Sequence, residues 1–214
     1  MGRLIDTGME QLSSMLQRMG ETAYEAVRLS IDGYVSGASN YNAVKSLSDT
    51  LILMADELED NVFEMIARFQ PVASDLRTLK SCMKIAYDLA RFGRYALDMS
   101  QIHERLGGLE KCDDWTKSFV KEMCEKVLGM VRMSIDSLKL RSVKLAQDIS
   151  EVEQQVDDMY FGYVDALVEK APTTTECQVS SVLAVRHLER IADHAAYICE
   201  SIVYLVTGQK VTLR

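Results

Sequence analysis

Two acids, Glu189 and Asp193, stand four residues apart in the run VRHLERIADHAAYICESIVYLVTG (185–208), a spacing that stacks them one turn apart on a helix. Along the same run Leu188, Ile191, Ala195, Ile198, Ile202 and Leu205 step by three and four and form an apolar stripe. At about 100° per residue the acids point roughly away from that stripe, which predicts a pair of carboxylates on the outer face. Arg186 and Arg190 lie within reach as salt-bridge partners, so an ion-paired, solvated face is the plain reading. His187 and His194 share a different face and read as packing or rim residues, and His103 ends its helix facing solvent. No nucleophile–base pair, Gly-rich phosphate loop or Glu-x-x-His step appears, so hydrolase, kinase and ferritin-like oxidase chemistry have no carrier. Ser74, Ser180 and Ser181 suit helix caps and helix starts.

The elements that must position these residues are helices. Leu12, Met15, Met19, Ala23, Ala26 and Leu29 predict a first helix from Leu4 to about Val35, interrupted by the turn formers Gly37 to Asn40. Val44, Leu47, Leu51, Met54, Leu58, Val62 and Met65 predict a second, from about Tyr41 to Gln70, where Pro71 stops it. A third starts at Ser74-Asp75 and runs to about Arg105, ahead of the strongest break in the chain, Gly107-Gly108. A fourth, capped by Asp113 or Asp114, reaches about Ser137. A fifth carries Leu145, Ile149, Val152, Val156, Met159 and Tyr163 and ends before Pro172; the run from Val185 is the sixth. Period-two β-branched runs are absent, so strands are not expected.

The order repeats. The only two prolines, Pro71 and Pro172, each divide the second helix of a half from its third. An offset of 99 residues lays DLARFGRYALDMSQ (88–101) on HLERIADHAAYICE (187–200). The expected fold is all-α, a tandem of two antiparallel three-helix bundles, 1–106 and 109–214, forming an elongated pair joined at the di-glycine. Composition bounds the function further. A net charge of −8 argues against a nucleic-acid partner, whose affinity comes from clustered Lys and Arg. No apolar run approaches the roughly 18 residues of a spanning helix, and the N-terminus has no apolar signal region, which predicts a cytoplasmic protein. Cys82, Cys112, Cys124, Cys177 and Cys199 are scattered without a C-x-x-C pair, and predict free thiols.

QPVASDLR (70–77), LERIADHAAYICE (188–200) and the terminal YLVTGQ (204–209) resemble the signatures of the PhoU family of phosphate-uptake regulators. That resemblance implies a multinuclear iron or zinc cluster held by paired acidic motifs on neighbouring helices. In the second half both motifs are present, as Glu153 with Asp157 and Glu189 with Asp193, so these four are the expected metal ligands, with one cluster per chain. Carboxylates four apart offer hard oxygen donors about one turn apart. The first half departs from the pattern: Ala90 and Arg94 stand at the equivalent places on its third helix, and Ser48 and Ile52 on its second. An arginine there would repel a cation, so an empty first half is expected.

The resemblance further implies a non-enzymatic negative regulator of phosphate uptake. Its partners would be the ATPase of a phosphate ABC transporter or a sensor kinase, with membrane contact only through them, and a homodimer as the family's habit. The alternative is a helical accessory or scaffold of another transporter or ion channel, with structural metal only. A metal-dependent enzyme would need an open coordination site beside an acid or base, and the sequence specifies none.

Overall fold

The structure is a computed structural model that describes residues 4–169 and 174–214. Its helices are α1 (Leu4–Ser36), α2 (Tyr41–Phe69), α3 (Ser74–Leu106), α4 (Asp114–Leu140), the one-turn α5 (Val143–Gln147), α6 (Ile149–Glu169) and α7 (Thr175–Thr207). A single 3₁₀ turn, Leu109–Lys111, lies between α3 and α4, and no strand occurs among the described residues. The all-α expectation holds.

Local chemistry explains most boundaries. Proline ends α2 as expected: Gln70, just before Pro71, takes the left-handed conformation and its N–H bonds back to Ile66 O. Asp113 caps α4 by accepting from the Thr116 N–H at 2.7 Å. Thr174 does the same for α7 through the Cys177 N–H. That cap lengthens the last helix by ten residues over the sequence reading, because TECQVSSVLA lacks an apolar stripe to announce it. The expected fifth helix is two pieces: Ser142 caps a first turn by accepting from the Leu145 N–H, and the chain restarts at Ile149. Pro172, the expected partner of Pro71, lies outside the described residues.

The halves share more than a linker. α3 and α7, the equivalent third helices, form the most extensive helix pair among the described residues, and α1 also packs on α4. One continuous apolar core therefore runs from Leu12 and Met19 through Phe92 and Leu89 to Leu188 and Ile198. α3 is walled by α1, α2 and α7, and α7 by α3, α4 and α6. The linker itself is tightly seated. A side chain at Gly108 would place its Cβ 2.2 Å from Tyr34 O, so only glycine lets the chain pass the end of α1 this closely. Ser180 Oγ donates to Gly107 O at 2.7 Å from the side of α7.

The cysteine expectation is corrected. Cys112, just after the 3₁₀ turn, and Cys177, in the first turn of α7, form a disulfide with their Cα atoms 5.3 Å apart. Cys82, Cys124 and Cys199 are free and buried, as apolar packing residues. The pairing spans 65 residues, a separation at which spacing says nothing about proximity.

Candidate functional site

The four predicted acids come from α6 and α7, which lie side by side. Their exposure is the principal departure from the sequence reading. Glu189 and Asp193 were expected on a solvated face, yet they are only 7% and 8% exposed, and Glu153 only 4%. The reason is tertiary: α7 is enclosed by α3, α4 and α6, so the face opposite its apolar stripe is covered by α6 instead of water.

Crowding shows in the acid strengths. Burial first, then the negative charges of Asp157, Asp193 and Glu189, pushes the Glu153 carboxyl up to about 7. Burial and the neighbouring Asp193 also raise Asp157, and burial with Asp193 raises Glu189. The four carboxylates thus feel one another across the α6–α7 seam. Two arginines partly neutralise them: Arg186 Nη1 donates to Glu189 Oε2 at 2.8 Å, and Arg190 Nη1 donates to Asp193 Oδ2. Both ion pairs foreseen from the sequence are therefore present, in a more buried setting.

As donors the four carboxylates suit a hard or borderline cation, and their mutual repulsion is what such a cation relieves. Their present spacing is wider than coordination requires. Among the described residues no three His, Cys, Asp or Glu side chains converge closely enough to hold an ion. The charge balance of the site in this state rests on Arg186 and Arg190, with Arg214 of the tail also acting on Glu153 and Asp157.

In the first half, Ser48 is buried against α3, with its Cα 3.2 Å from where a Cβ on Gly93 would lie, and Ile52 is exposed. Arg94 pairs with Asp98 at 3.5 Å on its own helix and shares a pocket wall with Ile52, Ala90, Asp56 and Glu59. Among the described residues no three metal-ligating side chains converge there.

Asp88 belongs to neither acidic pair. It is 2% exposed on α3, and its Oδ1 lies 2.8 Å from Nδ1 of His194 on α7, across the seam between the halves. Burial holds the Asp88 carboxyl above its usual range, and the His194 hydrogen bond offsets part of that. The available signal was an acid, Asp88, on the inner side of α3, four residues from the apolar Phe92.

Comparison with known proteins identifies the family of this fold. The family model described as the PhoU domain matches residues 16–102 and 120–202. The chain belongs to the PhoU family. It is 31% identical over 216 residues to a protein of Clostridium acetobutylicum named phosphate-specific transport system accessory protein PhoU homolog, covering 99% of this chain and 98% of that one. A protein of Pseudomonas aeruginosa with the same name is 28% identical, over 95% of this chain and 85% of its own. The crystal structure of PhoU from Pseudomonas aeruginosa superposes with a TM-score of 0.88 at 27% identity, covering 96% of this chain and 100% of that one. That of the phosphate transport system regulatory protein PhoU from Streptococcus pneumoniae gives 0.85 at 21% identity, over 97% and 99%, a likeness of fold.

Proposed function

We propose that this chain is a non-enzymatic, metal-binding negative regulator of phosphate uptake, acting on the ATPase of a phosphate ABC transporter or on an associated sensor kinase from the cytoplasmic side. The observation that carries this reading is the end-to-end match to relatives named as phosphate-specific transport accessory proteins. No helix among the described residues is long and apolar enough to cross a membrane, so contact with the transporter would be peripheral. The acidic seam supplies the metal reading. Glu153, Asp157, Glu189 and Asp193 would hold an iron or zinc cluster in exchange for the guanidinium groups of Arg186 and Arg190, both on the rim of the site. A metal held there would supply charge compensation between α6 and α7.

A deletion strain in phosphate-rich medium tests the regulatory part: uptake should be derepressed and restored by the wild-type chain. Uptake unchanged by the deletion would favour a scaffold for another transporter or channel. Elemental analysis after chelator-free purification tests the metal part. Wild type should carry iron or zinc, Asp193→Ala should lose most of it, and undiminished metal in Asp193→Ala would defeat the assignment.

A further inference from the structure

The chain is acidic overall, yet one concavity in it is lined by cations. A pocket of about 270 Å³ opens between α3, the last turns of α7 and the C-terminal tail, and Lys80, Lys84 and Lys210 line it with Ser81, Glu200 and Tyr204. Lys80 and Lys84 are one helical turn apart, a placement that is mutually repulsive unless an anion lies between them. The tail brings the third ammonium to them, and it is latched in place: the Leu213 N–H donates to Glu200 Oε1 at 3.1 Å and Arg214 Nη1 donates to Tyr197 Oη at 2.6 Å.

The acids nearby do not neutralise this set. Glu200, the one carboxylate of the lining, spends Oε1 on the tail backbone. Asp88, which feels the charge of Lys84 from below, is bonded to His194. Among the described residues none of the three lysines forms an ion pair. Instead Lys80 lies over the Tyr204 ring at 5.9 Å and Lys84 over the Tyr197 ring at 5.8 Å, contacts that hold their ammonium groups beside the pocket. A second feature of the wall points to a ligand. Ser81 is 2% exposed, and its Oγ has no hydrogen-bond partner among the described residues, leaving a buried hydroxyl beside three cations.

We propose that this pocket binds a tetrahedral phosphate oxyanion, with Lys80, Lys84 and Lys210 as charge partners and Ser81 Oγ as donor. Lysine serves phosphate as a compact point charge, and a space below the roughly 300–1,000 Å³ of pockets for drug-sized ligands suits a small anion. The same chemistry is offered by inorganic phosphate and by the phosphoryl group of a small ester. Its lining shares no residue with the acidic seam, and its proposal does not rest on the regulatory reading above.

The test is an amide NMR titration of the full-length, ¹⁵N-labelled chain with inorganic phosphate, with glycerol 3-phosphate and with chloride at matched ionic strength. Saturable shifts confined to residues 80–84 and 200–211 with either phosphate compound support the site. Saturation by inorganic phosphate but not by glycerol 3-phosphate assigns it to the free ion, and tighter binding of the ester assigns it to a phosphoryl group on a larger molecule. The Lys80→Gln/Lys84→Gln variant should bind at least about tenfold more weakly, since each charged hydrogen bond is worth that much. Lys210→Gln, on the tail and clear of the helical core, should weaken binding in the same direction. Asp193→Ala, which removes an acid from the seam, should not weaken anion binding, and this separates the pocket from the metal reading. Shifts that chloride reproduces, or a double lysine variant that titrates like wild type, would overturn the proposal.

Discussion

Glu153 shows what one residue gains and loses by being placed at the α6–α7 seam. Its carboxyl is raised to about 7 from an ordinary 4.5, so in the metal-free chain the folded state favours the protonated form. The sign follows: stability is fullest below about pH 4.5 and falls as pH rises through about 7, by at most roughly 3 kcal/mol for a shift of this size. Replacing the ionisable group while keeping its shape removes that loss. Metal-free Glu153→Gln should therefore melt higher than wild type at pH 8 and equally at pH 4.5, while retaining less metal. Thermal melts of chelator-treated proteins at the two pH values check this. A variant that melts lower at pH 8 would mean that the charge is compensated in the native chain, not repelled.

Among the elements, the linker and the start of α7 carry the largest unexpected constraint. The Cys112–Cys177 disulfide closes a loop of 65 residues that contains α4, α5 and α6. In the chain-entropy view, closing a loop of that length in the unfolded state is worth about 4 kcal/mol, an upper figure since strain and residual structure reduce it. Reduction, or Cys112→Ser, should lower stability by about 2–4 kcal/mol, read from denaturant midpoints with and without dithiothreitol. Equal midpoints in an oxidised sample whose bond is confirmed by mass would show that hydrogen bonds and packing alone hold the linker. Those contacts are substantial: Tyr34 Oη lies 2.9 Å from Ser180 Oγ, which in turn donates to Gly107 O, tying α1, α7 and the linker together.

For the whole molecule, the α3–α7 packing makes the two repeats one mechanical body. The apolar core is continuous across the seam, and Asp88 with His194 bridges it by a buried hydrogen bond. Unfolding should accordingly be a single transition. The protein supplies its own probes. Trp115, the only tryptophan, sits in α4 of the second half, whereas far-ultraviolet circular dichroism reports the helices of both. The two signals should coincide in urea. A tryptophan transition displaced from the dichroism transition would show that the halves unfold separately. Asp88→Ala should shift both midpoints together, by about 1–3 kcal/mol, because it leaves a buried imidazole unpaired.

The sequence by itself determined most of the helices, the repeat and which acids stand one turn apart. Three-four periodicity, Pro71, the Asp113 cap and Gly107-Gly108 act locally, and a helix forms its hydrogen bonds within its own segment. Glu189 and Asp193 are likewise one turn apart wherever the helix goes. Which way a helix face looks is not local. The covering of that acidic face by α6, the Asp88–His194 pair and the joining of Cys112 to Cys177 all depend on partners tens of residues distant. No period along the chain encodes which helix lies beside which. The tertiary structure decided these because only packing brings such residues within the few ångströms over which hydrogen bonds, disulfides and desolvation act.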